Sequence, residues 1–249
     1  MMLQNKTAVI TGAGHGIGRT LALGFAEQGA TVMVHYASSE QGANEVVAQI
    51  QQQGGHALLA QADLRQATAV KRFVEQTQEQ LGAIDIWINN AGASANSQET
   101  HGMSESDILE RMVEVDILGT WHCCREAQRN MRDGGCILNT GWNGAIAGAP
   151  GFTSQMYAIS KGAIISLTRC LAIEFAPSIR VNCIAPGYIE NDWSCNLSTS
   201  TRERLIHNVP LQRWGTAQDI LGTALFLASP AANYITGQVI VVDGGEVRH

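Results

Sequence analysis

Apolar positions along the chain alternate between short continuous runs and stripes at helical spacing, and that alternation predicts the fold. Residues 8–10, Ala-Val-Ile, read as a buried strand ended by Thr11 and Gly12. Residues 19–28 follow, with Leu21, Leu23, Phe25 and Ala26 among good helix formers. Residues 31–35 give a second strand. Ala43, Val46, Val47 and Ile50 then lie at helical spacing, and Gly54-Gly55 closes that helix. Residues 57–60 form a third strand, and Val70, Phe73, Val74, Thr77 and Leu81 the next helical face. Residues 84–89 form a fourth strand. Residues 104–132 open on a capping-box pattern, Ser104-x-x-Asp107, and are long enough for one long or two shorter helices. Residues 136–140 read as a fifth strand, 157–175 as a helix and 180–184 as a sixth strand. Thr216-x-x-Asp219 starts a helix reaching about Ala228, and residues 239–242 form a seventh strand.

This order predicts one α/β domain over residues 1–249, a Rossmann-type, doubly wound, seven-stranded parallel sheet with helices on both faces. Two segments, 141–156 and 188–210, carry no periodic pattern, and both follow strand ends on the side where such sheets bind ligands. The second, rich in Ser, Thr and Asn, reads as a mobile substrate lid.

Composition narrows the function. A chain of 249 residues fits one such domain, and 45% apolar residues suffice for its core. Only 15% of residues are charged, against a usual value of about 25%, which points to surface covered by subunit contacts. The net charge of −6 comes with no basic cluster and argues against nucleic acid or an anionic membrane as partner. No apolar run approaches the roughly 18 residues of a membrane span. The start runs straight into the first strand and leaves no room for a signal peptide. The six cysteines show no C-x-x-C spacing and no His/Cys cluster has zinc-ligand spacing, so no metal is expected, and thiols in a cytoplasmic protein are the reading.

Two motifs carry chemistry. In Gly12-x-x-x-Gly16-Ile17-Gly18, glycines between a strand and a helix let the backbone turn tightly and approach a pyrophosphate at the helix N-terminus. In Tyr157-Ala-Ile-Ser-Lys161, a phenol and an ammonium share one helical face. An ammonium favours a nearby phenolate and lowers a phenol's pKa from its ordinary value of about 10, which suits proton transfer near neutral pH. Either motif alone also occurs by chance, as a tight turn or a surface pair.

Together, with Asp63-Leu64, Asn89-Asn90-Ala91-Gly92, Arg180-Val-Asn-x-x-x-Pro186-Gly187 and Thr236-Gly-Gln near Asp243-Gly-Gly245, they resemble the short-chain dehydrogenase/reductase family over nearly the whole chain. Its 3-oxoacyl-carrier-protein reductase-like branch is the most similar. The resemblance implies hydride transfer between a nicotinamide cofactor and a small carbonyl or secondary alcohol, with Tyr157 as the proton donor and Lys161 beside it holding the ribose. It implies that Asp63 and Leu64 contact adenine, that Asn90, Ala91 and Gly92 pass beside the ribose, and that Pro186, Gly187 and Ile189 flank the carboxamide. It also implies a homotetramer built on the faces of 112–124 and 163–175. The second strand ends Val34-His35-Tyr36-Ala37-Ser38-Ser39, with no acid before Glu40 to bind a ribose 2′-hydroxyl. The missing acid points to NADP, with NAD the alternative; Ser38 and Ser39 can donate to a 2′-phosphate, Tyr36 lies in the same cofactor-binding stretch, and the resemblance places His15 where NADP-preferring relatives often carry a basic residue.

Three positions depart from that pattern. Where relatives end the fifth strand with a carbonyl-polarising serine, Asn139 in register places Trp142, which donates through its indole but cannot accept. Asn143 is the preferred substitute, since its amide can donate to a developing oxyanion; Thr140 and Ser154 are the others. Asp116 stands where relatives carry Asn, and a carboxylate buried near Lys161 would favour its charged form. Asn191 stands where relatives have Thr. Trp142, Tyr188 and Trp193 suggest an aromatic-lined substrate pocket. The competing reading is a nucleotide-binding protein of this fold with impaired redox activity, a sensor or partner subunit; a non-redox lyase or dehalogenase is disfavoured by the intact glycine loop.

Overall fold

A computed structural model describes residues 1–95 and 100–247. The strands β1 (Thr7–Ile10), β2 (Thr31–Tyr36), β3 (Ala57–Gln61), β4 (Ile84–Asn89), β5 (Met131–Thr140), β6 (Ile179–Pro186) and β7 (Val239–Val242) form one sheet in the order β3-β2-β1-β4-β5-β6-β7. Every pairing is parallel. Strand order reverses between β1 and β4, so the C-terminal ends of the central strands open a crevice there.

Alternate residues of each strand feed two cores. Ala8 and Ile10 of β1, Val32 and Val34 of β2 and Leu138 of β5 face one side, which α1 (Gly16–Glu27), α2 (Glu40–Gln52) and α10 (Ala217–Ala228) cover with Phe25, Ile50 and Leu221. Val9, Met33 and Ile137 face the other, under α3 (Ala67–Leu81), α5 (Gly119–Asn130) and α7 (Phe152–Glu174), which supply Phe73, Cys124 and Leu171. Burial on both faces explains why the strands read as continuous apolar runs.

The predicted seven strands and the doubly wound arrangement hold, with shifted boundaries. β5 begins at Met131 rather than at 136; its first residues are largely exposed and carry no apolar run, so the pattern does not mark them. α4 (Glu105–Met112) joins α5 through a π-helical turn, Val113–Leu118, that contains Asp116. Ser104 accepts from the Asp107 amide, as the capping pattern predicts. The single turn α6 (Gly144–Ala147) precedes α7, which begins at Phe152, so Tyr157 lies in its second turn rather than at its start; Gly151, at φ +100°, ends the preceding loop without a side-chain cap. This helix is long and apolar enough to cross a membrane by length and composition. However, Lys161, Ile164, Thr168 and Leu171 on its inner face are buried, as in a core helix.

Segment 188–210 is not an irregular loop. It holds α8 (Asp192–Cys195) and α9 (Thr199–Ile206), capped by Asn191 and Ser198. The Ser and Asn residues that suggest a loop are the caps of two short helices.

Candidate active site

Glycine chemistry sets the first wall of the crevice. Gly12 leaves β1 at φ +63°, and a Cβ there would lie 2.9 Å from Ala91 Cα. A Cβ on Gly18 would lie 2.2 Å from the Gly12 carbonyl oxygen and 2.6 Å from the Asn90 amide nitrogen. Asn90 Nδ2 donates to the carbonyls of Thr11 (3.1 Å) and Gly12 (3.2 Å), while Thr11 Oγ1 accepts from the amides of Asn90 (2.9 Å) and Ala91 (3.0 Å). At Gly12 and Gly18 the chain is thus packed too tightly against its neighbours for a methyl group, whereas Gly16 has open space around it and is set by its φ of +54°. His15 is the N-cap of α1 but its side chain caps nothing, and the first turn contains no acid, which leaves its amides for an anion. A pyrophosphate fits this cradle.

Around it, Ser39 packs on Gly14 and Ser38 is exposed. Tyr36 is buried in the core, with Glu40 at its hydroxyl. Asp63 is held by Arg65 at 2.7 Å, and this ion pair and the Arg65 hydrogen bonds keep its carboxyl below the usual range. Leu64 is buried beneath Gly119.

Sequence reasoning missed His35. Its Nδ1 accepts from the Gly12 amide at 3.2 Å and its Nε2 donates to the Ala62 carbonyl at 3.0 Å. Burial lowers its pKa from 6.5 to about 4. The unfolded chain therefore binds this proton below pH 6.5 while the native protein does not until about pH 4. The stability from neutral His35 is complete above pH 6.5 and is lost as the pH falls toward 4, by about 1.4 kcal/mol per pH unit and on the order of 3 kcal/mol in all. Urea unfolding from pH 7 to 4.5 should show this slope in the wild type and lack it in His35→Asn; equal slopes would refute the assignment.

The second wall joins α7 to the π-helical turn. Lys161 is 8% exposed and Asp116 fully buried, with Nζ 3.2 Å from Oδ2. Asp116 Oδ1 also accepts from the Ala93 amide at 2.7 Å, and Oδ2 accepts from Ser160 Oγ at 3.1 Å. Gly92 makes room: a Cβ there would lie 3.1 Å from Asp116 Oδ1 and 3.3 Å from Lys161 Nζ. Tyr157 Oη donates to the Ala93 carbonyl at 3.4 Å, a long bond. Below them runs a buried ladder. Trp87 Nε1 donates to Asn89, Asn89 to Asn139, and Asn139 to Thr168 of α7, at 2.8, 2.8 and 3.0 Å. It ties α7, and hence Tyr157 and Lys161, to β4 and β5.

Trp142 packs edge-on to Tyr157, ring centroids 6.0 Å apart. A Cβ on Gly144 would lie 2.4 Å from its indole, so that glycine admits the ring. Asn143 requires a correction. Its amide nitrogen donates to Asp243 (3.2 Å) and Glu246 (2.8 Å), which uses both hydrogens and leaves none for a substrate oxygen. Gly187 closes on the same corner, where a Cβ would lie 2.5 Å from Asp243 Cβ; the backbone N–H of Asn143 donates to the Pro186 carbonyl, and Ile189 is buried. Asn191 caps α8 through Ser194. Tyr188 and Trp193 gather around Trp214, at 5.3 and 6.3 Å, apart from the Trp142–Tyr157 pair. Trp214 carried no signal in the sequence, and Arg202 lies 4.9 Å over its ring. Among the described residues no His/Cys/Asp/Glu group could hold a metal.

Residues 12–246 match the family model described as enoyl-(acyl carrier protein) reductase. The chain is 36% identical over 248 residues to the 3-oxoacyl-acyl-carrier-protein reductase FabG of Staphylococcus aureus strain Mu50, covering 98% of this chain and 99% of that one. It belongs to the short-chain dehydrogenase/reductase family. Among solved structures, a blue fluorescent protein from a metagenomic library in complex with NADPH superposes with TM-score 0.90 at 33% identity, covering 100% of both chains. A 7α-hydroxysteroid dehydrogenase complexed with NADH and 7-oxo glycochenodeoxycholic acid superposes with TM-score 0.89 at 34% identity, covering 99% of this chain and 96% of that one. This short-chain dehydrogenase/reductase is accordingly an NAD(P)-dependent oxidoreductase acting on a small molecule.

Proposed function

We propose that the protein interconverts a carbonyl and a secondary alcohol with NADP(H), using Tyr157 as the acid and base. The observation that carries this reading is the buried Lys161–Asp116 pair one helical turn beyond Tyr157, across from a glycine cradle that excludes a methyl group. When bound, the nicotinamide supplies or accepts the hydride. Tyr157 gives its phenolic proton to the alkoxide oxygen that develops in reduction. Lys161, whose charge is held in place by Asp116, stabilises the phenolate left behind. Trp142, edge-on to Tyr157, gives the site an apolar face that suits an apolar substrate, whereas Tyr188 and Trp193 gather around Trp214 apart from that pair. With both Asn143 hydrogens committed, Trp142, Thr140 and Ser154 are the remaining candidates to polarise the carbonyl.

The missing acid after Val34 and the exposed Ser38 favour NADP over NAD. The NADPH complex of the similar blue fluorescent protein supports the same choice. NADPH should bind about 1–2 kcal/mol more tightly than NADH, since a few neutral donors meet the 2′-phosphate. Fluorescence titration giving tighter NADH binding would reverse the preference. Loss of NADPH absorbance with a panel of ketones and diketones tests the reaction itself. Binding without turnover would favour the sensor reading, which rests on Trp142 at the serine position.

The cytoplasm is the compartment we assign, on six free cysteines. A homotetramer is supported by apolar side chains left outward on the two helices expected to associate. Leu118 and Trp121 are 44% and 47% exposed, and Ile173 is 82% exposed. Sedimentation of a monomer at micromolar concentration would refute it.

A further inference from the structure

We infer that His35 is a positioning residue that holds the pyrophosphate end and the adenine end of the cofactor site in register. The inference rests on reading the glycine loop as that site. His35 is in β2, between the two segments it ties. Its Nδ1 accepts from Gly12, the first residue of the glycine loop after β1 (3.2 Å), and its Nε2 lies 3.0 Å from the carbonyl of Ala62, just after β3. Asp63 and Leu64, expected at the adenine, follow Ala62 directly.

The arrangement allows one tautomer. A backbone amide only donates, so Nδ1 must carry a lone pair, and the ring proton sits on Nε2, where Ala62 accepts it. Gly12 is then held at both ends, its amide by His35 and its carbonyl by Asn90 Nδ2. The backbone there is at φ +63°, packed on Ala91 with no room for a Cβ. The backbone reinforces the tie: Ala13 N donates to His35 O, and Ala62 N to Tyr36 O. Phe73 of α3 packs on the imidazole at 4.9 Å between ring centroids. Without both bonds, the part-buried Gly12 N–H and the buried Ala62 carbonyl would lose these partners.

Two substitutions divide the ring's work. In His35→Asn an amide oxygen replaces the acceptor near Nδ1 and nothing reaches Ala62. In His35→Gln an amide nitrogen replaces the donor near Nε2 and Gly12 loses its acceptor. His35→Leu removes both. With NADPH as the probe, fluorescence titration should give a Kd raised about tenfold in His35→Leu, the scale of one hydrogen bond to a preorganised loop, with His35→Asn recovering most of the loss and His35→Gln less. KM for NADPH should follow Kd, while kcat at saturating NADPH stays within about twofold, because the acid at Tyr157 is untouched. Amide hydrogen exchange at Gly12 in the cofactor-free protein should be fast in His35→Gln and His35→Leu and slow in the wild type and His35→Asn.

Wild-type NADPH affinity and a protected Gly12 amide in folded His35→Leu or His35→Gln would overturn the inference. So would a fall in kcat with KM unchanged. If His35→Leu does not fold, the Asn and Gln variants decide the question alone. Changed Gly12 exchange in a protein that binds neither NADPH nor NADH would support the loop tie and overturn only the cofactor reading on which its purpose rests.

Discussion

Tyr157→Phe is expected to lower kcat on the order of 10³-fold while leaving the Kd for NADPH within about twofold, because a positioned proton donor contributes on that scale and only its oxygen is lost. The ring remains against Trp142 and the helix is unchanged, so the loss is chemical. Two companion variants locate the carbonyl-polarising group. Trp142→Phe keeps the bulk over Gly144 and removes the N–H; a loss of about 10²-fold would assign the indole as donor, and a mild effect would leave it shaping the pocket. Asn143→Ala should instead cost about 1–3 kcal/mol of stability with little change in kcat, since its hydrogens hold Asp243 and Glu246 rather than substrate. Burial already holds the Glu246 carboxyl above its usual range, so losing that donor should be felt. A Tyr157→Phe enzyme that turns over ketone like the wild type would remove Tyr157 from the mechanism.

Asp116→Ala is expected to destabilise the protein by about 3–5 kcal/mol, the cost of leaving one member of a buried ion pair uncompensated. For a chain of this size that is a fall in melting temperature on the order of 10 °C. Three groups lose their acceptor together: Lys161 Nζ, the Ala93 amide and Ser160 Oγ. Asp116→Asn keeps a carbonyl oxygen for Ala93 and the same volume, and relatives carry Asn here, so turnover should survive at a smaller loss of stability. Thermal unfolding of the two variants, with kcat for the second, checks the pair. Both melting with the wild type would show that the carboxylate is not a structural partner of Lys161.

Much of this architecture was legible from pattern. Ala8 to Ile10 and Ile84 to Asn89 are buried on both faces, so their composition announces strands that need helices on either side. The glycine spacing announced the cradle, and Gly18 shows why: its missing Cβ lets α1 rest on the Gly12 carbonyl. Tyr157 and Lys161 share a helical face whatever else the chain does. Elements defined by hydrogen bonding rather than apolar spacing were less visible. The start of β5 is exposed, α8 and α9 read as a polar loop, and the first turn of α7 precedes its apolar stripe.

By itself, then, the sequence determined the sheet, its two helical layers, the glycine cradle and the Tyr-Lys pair, because each depends on local period or on residue size. Only the tertiary structure decided where the uncommitted polar groups went. His35 looked like one more strand residue, and it became the tie between Gly12 and Ala62 because parallel pairing sets β1 and β3 on either side of it. Asp116 met Lys161 because a π-helical turn and Gly92 bring them together. Asn143 turned from the expected oxyanion to Asp243 and Glu246, some 100 residues further along. Such partners are chosen by the crossing of elements distant in sequence, and no local spacing records that choice.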